Sequence, residues 1–190
     1  MSPIAGVDEV GRGCLAGPVV AVAVILDLDF NKSLLKDSKV LSVKERQRLY
    51  ALLMASDSDI GVASLSSRMI DKYNILNATM EAMRRAVMQL SVIPSHVIID
   101  GNRAPQFPDE MVVETRVKGD QSVPEISAAS IIAKVIRDRI MDALDRKFPH
   151  FEFQDHKGYG TQAHYDQIYN HGLSNVHRRS FNLTRQESLF

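Results

Sequence analysis

Acidic side chains stand at the ends of three predicted strands. Asp8 and Glu9 close the first strand, Asp100 closes the fourth, and Asp120 follows the fifth. Asp and Glu are poor strand residues, and adjacent carboxylates repel each other, so their burial is favourable only where a cation is shared. In an α/β sheet, ligands bind beyond the strand ends, where acids distant in sequence can meet. The set therefore predicts a cation site made of oxygen ligands.

Four carboxylates favour Mg²⁺ or Mn²⁺, and two such ions roughly 4 Å apart can activate water and stabilise the leaving oxygen of a phosphodiester. Two interpretations remain open, because Asp8 and Asp100 are either metal ligands or turn caps. For Asp120, the sequence Lys-Gly-Asp is also a good turn. Adjacent strand residues face opposite sides, so Asp8 and Glu9 share one site only if the strand ends or bulges there, which Gly11 permits.

A glycine-rich loop follows the first two acids. It contains Gly11, Gly13, Gly17 and Pro18, with Arg12 between the first two glycines. Backbone flanked by residues without a Cβ can approach a ligand closely. This loop is therefore suited to binding a phosphate.

Composition places the chain among ordinary globular proteins. Its 190 residues are enough for one domain with a proper core, and 45% of them are hydrophobic and 24% charged. The single cysteine, Cys14, excludes a disulfide scaffold and fits packing better than nucleophilic catalysis, because no His lies near it in the motif. No apolar run approaches the roughly 18 residues of a membrane span, and no signal peptide pattern is evident. We expect a cytoplasmic protein.

Net charge neither indicates nor excludes a nucleic-acid partner. The 23 basic and 23 acidic residues sum to zero, so the bulk positive charge of many nucleic-acid binders is missing. An acidic metal site inside a basic rim also sums to about zero. Local patches would have to bind a polyanion.

Hydrophobic patterning predicts five strands, at 4–10, 19–26, 60–65, 96–100 and 112–117. The continuous apolar run of the second strand is typical of a strand that is buried on both faces of its sheet. Its short connection to the first strand favours an antiparallel pair. Four helices are predicted. The first begins after Ser42, which forms a capping box with Glu45, the second lies at 74–90, the third at 125–148, and the fourth follows a turn at 156–161. The sequence therefore predicts an α/β fold with a five-stranded mixed sheet flanked by helices and a helical C-terminal part.

Seven motifs, in order and over nearly the whole chain, resemble those of the ribonuclease HII family. They are GVDEVGRGCLAGPVVAVAVIL at 6–26, DSKVLS at 37–42, IDGN at 99–102, KGD at 118–120, ISAASIIAKVIRDR at 126–139, HKGYGT at 156–161 and HRRSF at 177–181. The resemblance implies a ribonuclease H-like fold. Its catalytic domain would occupy residues 1–149, and residues 150–190 would form a helical, substrate-binding part of the same domain.

The resemblance also implies an activity. Family members hydrolyse the phosphodiester 5′ of ribonucleotides in RNA/DNA hybrids and of single ribonucleotides embedded in duplex DNA, leaving a 3′-OH and a 5′-phosphate. Carried over by position, the catalytic acids and ligands of two Mg²⁺ or Mn²⁺ ions are Asp8, Glu9, Asp100 and Asp120. The alternatives are a junction resolvase of the same superfold and a non-catalytic hybrid-binding protein, since fold alone does not determine substrate.

Substrate contacts follow from the same motifs. The backbone of Gly11, Arg12 and Gly13 would contact the 2′-OH of the ribonucleotide and the adjacent phosphate, and Tyr159 would stack on the sugar of the next deoxynucleotide. The 2′-OH is the group by which a protein distinguishes RNA from DNA. Our candidates for phosphate contacts, which would set register without reading sequence, are Lys39, Lys157, Arg178 and Arg179.

Two features of the C-terminal part need separate interpretation. Five histidines, at positions 150, 156, 164, 171 and 177, have spacings that match no standard zinc site, so we expect substrate or structural roles for them. The last five residues, from Gln186 to Phe190 (QESLF), are similar to the short peptides with which replication proteins bind a sliding clamp. The alternative is a tail packed on its own domain. We expect a monomer.

Overall fold

A mixed five-stranded sheet forms the centre of the protein. The computed structural model describes residues 3–35 and 41–184. The strands are β1 (Ile4–Val10), β2 (Val19–Ile25), β3 (Asp59–Leu65), β4 (His96–Asp100) and β5 (Val112–Arg116). Their order across the sheet is β3-β2-β1-β4-β5. β2 pairs antiparallel with β1 and β3, whereas β4 is parallel to β1 and β5. The predicted mixed sheet and its antiparallel first pair are confirmed.

Helices pack on both faces of this sheet. Those in the described residues are α1 (Val43–Ala55), α2 (Ser67–Tyr73), α3 (Ile75–Met88), α4 (Pro124–Lys147), α5 (Phe153–His156) and α6 (Gln162–His171). The capping box predicted for α1 is present at Ser42 and Glu45. The sequence did not predict α2 or α5. Asn74, at φ 64°, separates α2 from α3. No helix in the described ranges is long and apolar enough to cross a membrane.

The apolar run of β2 is explained by cover on both sides. Its residues alternate between the two faces, so that Val19 and Ala21 pack with α3, whereas Val20 and Val22 pack with α1 and α4. Every residue of β2 except Ile25 is buried. Two hydrophobic layers therefore hold the sheet, and their helices position the strand ends.

Glycines allow these helices to approach the sheet closely. A Cβ at Gly6 would lie 2.3 Å from backbone atoms of Glu125 and Ile126 in α4, and one at Gly61 would lie 1.9 Å from the carbonyl oxygen of Ala86 in α3. Neither distance is possible between real atoms without movement of a helix. Each glycine therefore determines how closely a helix lies against its strand.

The C-terminal segment is hydrogen-bonded to the loop that follows β1. The backbone N–H of Leu15 donates to Gly158 O at 2.8 Å, and that of Gly17 donates to Val176 O at 2.9 Å. Arg178 N–H in turn donates to Leu15 O at 2.8 Å. The glycine-rich loop is thus built into the C-terminal part of the fold.

Substitution of Gly61 by Ala tests the close approach of α3. We expect Gly61→Ala to lower the free energy of unfolding by about 1–3 kcal/mol, since the added methyl group displaces backbone rather than a flexible side chain. Urea denaturation measures this change. Gly13→Ala is the matched control, because a Cβ there meets nothing within 4 Å, and we expect it to change stability by less than about 0.5 kcal/mol. Equal stability of the two variants would contradict the packing argument.

Candidate active site

Asp8 and Glu9 lie on a regular part of β1 and face opposite sides of the sheet. The register with β2 runs without interruption through Asp8↔Val22 and Glu9↔Ala21. Asp8 is on the side of α4, where its carboxylate accepts a hydrogen bond from Ser130. Glu9 is on the side of α3 and lines a cavity there. β1 therefore has no bulge at these residues. The two carboxylates lie on opposite faces and come near each other only at the end of the strand.

Asp100 lies at the end of β4, next to the end of β1. Because β4 pairs with β1 in the parallel register Gly6↔Ile98 and Val7↔Ile99, Asp100 follows at the same level as Asp8. Asp100 Oδ1 accepts a hydrogen bond from the backbone N–H of Gly119 at 2.8 Å. This bond anchors a single 3₁₀ turn, Gly119–Gln121. Asp120 lies in this turn, one residue after the Gly119 N–H that binds Asp100.

Burial and mutual repulsion perturb these carboxylates. Burial raises the pKa of Asp8 well above its usual value, and the charges of Glu9 and Asp100 raise it further, against the hydrogen bond from Ser130. Burial also raises the pKa of Glu9, while Arg12 opposes this effect. Nearby negative charges inside low-dielectric surroundings are the condition that a bound cation relieves.

Three of the four acids line cavities. Glu9 and Asp100 line one of about 270 Å³, with Leu76, Met80 and Met83 of α3 as its apolar wall. Asp120, which is 2% exposed, lines another of about 300 Å³ together with Lys32 and Ser127. Among the described residues, no three His, Cys, Asp or Glu side chains form a ready metal-binding group. The carboxylates adjoin, but they do not form a compact ligand shell as they stand.

The donor set nevertheless fits a divalent cation in its chemistry. Its members are buried or half-buried carboxylates with hard oxygen atoms, and the pKa values of Asp8 and Glu9 are raised in part by neighbouring negative charge. Mg²⁺ and Mn²⁺ prefer such oxygen ligands and commonly retain several waters, so they do not require an all-protein cage.

The two glycines of the Gly-Arg-Gly sequence have different physical roles. Gly11 has φ 94°, and a Cβ there would lie 2.2 Å from Arg137 Nε, so the fold itself requires glycine. Gly13 has open space around the position of a Cβ. Between them, Arg12 extends an exposed side chain whose Nη1 lies 3.1 Å from Glu9 Oε1. Packing therefore does not explain the glycine at position 13.

Two buried guanidinium groups support this loop from beneath. Arg178 donates to the carbonyl oxygens of Gly11 at 2.6 Å, Arg12 at 2.8 Å and Gly17 at 3.1 Å. Arg137 of α4 does the same for the carbonyls of Ala16, Pro18 and Lys157. Arg178 is 0% exposed, which differs from the surface phosphate contact expected from the sequence. Its position is that of a residue that shapes the loop.

The carbonyls held by Arg178 determine where the loop amides point. In a planar trans peptide, the C=O of one residue and the N–H of the next lie on opposite sides. Because the Gly11 and Arg12 carbonyls are directed at the buried guanidinium, the N–H groups of Arg12 and Gly13 are directed away from it. The loop therefore presents two backbone donors on the side opposite Arg178.

Three of the other predicted substrate residues lie around the loop. Tyr159 is 41% exposed, and the Arg137 guanidinium lies 5.8 Å from its ring centroid. Lys157 forms an ion pair with Asp142 of α4. Arg179 is exposed, and its backbone N–H donates to Asp71 at 3.1 Å. Lys39 lies outside the described residues, as do Gln186 to Phe190.

Sequence reasoning assigned no loop-supporting role to Arg137 and did not identify Ser130 as the partner of Asp8. Both occur in the matched motif at 126–139, and the short side chains at its start were the available signal for Ser130. Nothing in the local sequence distinguishes Arg137, which is buried, from its exposed neighbour Arg139. Cys14 is fully buried, and burial raises its pKa, in agreement with a packing role.

Solved structures with the same arrangement place the fold in a known class. The RNase HII of Archaeoglobus fulgidus, solved as a complex with PCNA, is 27% identical with a TM-score of 0.79, and the alignment covers 98% of both chains. A more distant structure, Bst-RNase HIII in complex with Mn²⁺, has a TM-score of 0.71 at 20% identity and covers 96% of this chain and 68% of that one. The protein has the ribonuclease H fold.

Sequence comparison identifies the family within this fold. The family model for ribonuclease HII matches residues 5–184. The ribonuclease HII of Shewanella loihica is 51% identical over 178 residues, which cover 93% of this chain and 86% of the relative. The chain belongs to the ribonuclease HII family, and it is a ribonuclease H hydrolase. The family and fold predicted from the seven motifs are confirmed.

Proposed function

We propose that this protein is an endoribonuclease that hydrolyses the phosphodiester 5′ of ribonucleotides, both in RNA/DNA hybrids and where a single ribonucleotide is embedded in duplex DNA. The products are a 3′-OH and a 5′-phosphate. The observation that carries this proposal is the meeting of buried carboxylates at the adjoining ends of β1 and β4, beside a loop that presents backbone donors. A monomeric state and a cytoplasmic location remain predictions.

Divalent cations complete the proposed site. Asp8, Glu9, Asp100 and Asp120 would hold two Mg²⁺ or Mn²⁺ ions. Bound there, the ions would supply activation of water and stabilisation of the leaving oxygen. The protein's own contribution is to bury the carboxylates, to orient Asp8 through Ser130 and to orient Asp100 through the Gly119 N–H. These hydrogen bonds fix the ligands before a cation binds.

The glycine-rich loop and Tyr159 would select the substrate. The N–H groups of Arg12 and Gly13 are available to the 2′-OH and to the adjacent phosphate, and the open space at Gly13 lets the sugar approach. The half-exposed ring of Tyr159 would stack on the following deoxyribose, where a 2′-OH would obstruct it. Lys39, Lys157 and Arg179 would contact phosphates without reading sequence.

Asp100→Asn tests the role of the acids. The variant keeps an oxygen acceptor for the Gly119 N–H but loses the negative charge, so we expect cleavage to fall by more than about a hundredfold while substrate affinity stays nearly unchanged. Single-turnover cleavage of a duplex with one ribonucleotide, with Mg²⁺ or Mn²⁺, measures the first quantity, and binding in chelator measures the second. The matched control is Asp109→Asn, in an exposed loop. Near-normal cleavage by Asp100→Asn would remove the metal assignment.

Gly13→Ala tests the ligand contact separately from the fold. We expect kcat/KM on the same duplex to fall about tenfold, which corresponds to about 1.4 kcal/mol, because the methyl group occupies the space that the sugar needs. Gly61→Ala should behave in the opposite way, with lower stability and an unchanged KM for the folded fraction. If Gly13→Ala leaves kcat/KM unchanged, the loop does not approach the substrate at this residue.

The chain's last five residues carry a second proposal, a sliding clamp as partner. The sequence from Gln186 to Phe190 supports it, as does the solved complex of the Archaeoglobus fulgidus relative with PCNA. We expect a variant that ends at Arg185 to lose affinity for the clamp of the same organism in a titration, with cleavage of a short duplex unchanged. Leu189→Ala with Phe190→Ala should reproduce the loss. Equal affinity of the truncated and full-length chains for the clamp argues against the partner.

A further inference from the structure

A cluster of aromatic rings lies behind the turn that carries Tyr159. Phe151 and Phe153 stack with ring centroids 5.4 Å apart, and the buried imidazoles of His164 and His177 pack edge-on or tilted against them. His164 is 0% exposed and His177 is 2% exposed. Two buried, polar and titratable rings need hydrogen-bond partners, and these partners define what the cluster does.

The hydrogen bonds of the two histidines form one directional chain. Ser174 N–H donates to His177 Nδ1 at 3.0 Å, so in the neutral ring the proton is on Nε2. His177 Nε2 lies 3.0 Å from His164 Nε2, which must then accept. The proton of His164 is consequently on Nδ1, which lies 2.9 Å from the carbonyl oxygen of Tyr159. The chain thus assigns opposite tautomers to the two rings.

Both ends of this chain adjoin the glycine-rich loop. At one end, Gly158, which precedes Tyr159, accepts a hydrogen bond from Leu15 N–H at 2.8 Å. At the other end, Val176, which precedes His177, accepts one from Gly17 N–H at 2.9 Å. The two histidines therefore connect the Tyr159 turn to the segment that holds the loop.

We propose that His164 and His177 are positioning residues that hold Tyr159 beside the glycine-rich loop, and that they do so only while both rings are neutral and in opposite tautomers. This inference rests on the proposed role of Tyr159 at the RNA–DNA junction. The two histidines touch neither the acids nor the substrate. They act through the Tyr159 carbonyl.

The surroundings of the pair disfavour positive charge. Within the described residues, His156 stacks on His164 with ring centroids 4.3 Å apart, and the charge of Arg179 acts on His177. His171 packs edge-on against the Phe151 ring, and His150 stacks on His171. A proton added to either ring would set two N–H groups against each other at one link of the chain. Burial, the largest cause, lowers the pKa of each histidine from 6.5 to about 4.

The direction of the pH effect follows from proton binding. Between pH 6.5 and pH 4 the unfolded chain binds protons at these histidines, whereas the folded chain does not. Stability from the neutral pair is therefore complete above pH 6.5 and is lost as the pH falls towards 4. The folded protein takes up these protons only as the pH falls through about 4, so it is there that we expect the preference of the wild-type protein for a single-ribonucleotide duplex over a continuous hybrid to fall. The catalytic acids are common to both substrates, so their titration cancels in this ratio.

The first test uses the wild-type protein and does not depend on catalysis. Long-range ¹H–¹⁵N correlation spectra at pH 7 should show a neutral His177 with its proton on Nε2 and a neutral His164 with its proton on Nδ1. The same tautomer in both rings, or a charged ring at pH 7, would overturn the proposal. This outcome stays informative even if the wild-type protein cuts neither substrate, a result that would instead reject the proposed function.

The second test compares variants on the two substrates. His177→Phe keeps a ring of similar size but removes the hydrogen bonds of His177 to Ser174 and His164. We expect kcat/KM on the single-ribonucleotide duplex to fall about three- to tenfold, the effect of one lost hydrogen bond, with a smaller loss on continuous hybrid. Tyr159→Ala should show the same pattern, and combining it with His177→Phe should add nothing. His171→Phe, at an exposed ring on α6, is the matched control and should leave both values unchanged.

Equal losses on the two substrates, or losses that add in the combined variant, would show that the histidines only stabilise the fold. If His177→Phe does not fold, His164→Asn replaces it, because the Asn amide can still donate towards the Tyr159 carbonyl while the link to His177 is broken. That variant should retain more of the junction preference than Tyr159→Ala.

Discussion

Two buried arginines hold the part of this protein on which its proposed activity depends. Arg137 and Arg178 are 0% exposed, and each donates to three backbone carbonyls of the glycine-rich loop or of the turn beside it. Burial lowers the pKa of Arg178 only to about 10, so the group remains charged at neutral pH. A buried charge is tolerable because its donors are satisfied, and loss of one guanidinium would leave several carbonyls without partners.

This support explains how a loop rich in glycine keeps a defined conformation. Glycine makes a chain flexible, and fixing it costs more conformational entropy than fixing any other residue. The planar fork of an arginine offers several donors in fixed directions, which a lysine does not. Because Arg178 holds the carbonyls of Gly11 and Arg12 on one side, the following amides are held on the other. The loop is therefore oriented before substrate arrives, which lowers the cost of binding.

Sequence reasoning succeeded where a local pattern determines local structure. Strands β1 to β4 were predictable because their apolar residues are buried against the helices, and α1 because its capping box is local. The alternation of Asp8 and Glu9 was also predictable from the period of a strand. The roles of Arg137 and Arg178 were not, because a buried arginine and an exposed one look alike in a sequence. Five of their six carbonyl partners are more than a hundred positions away, and carbonyls have no sequence signature.

The position of the acids reflects a conflict between stability and chemistry. Asp8 and Glu9 extend to opposite sides of β1, so only at the end of the strand, with Asp100 at the end of β4, do their charges come together. In the middle of the sheet the same residues would be separated by the strand itself. At its end, burial and, after it, the negative charges of Glu9 and Asp100 raise the pKa of Asp8, and keeping this carboxylate charged there lowers stability. A cation bound between the two sides would remove that cost, and this is the physical reason for expecting a divalent ion at the end of β1.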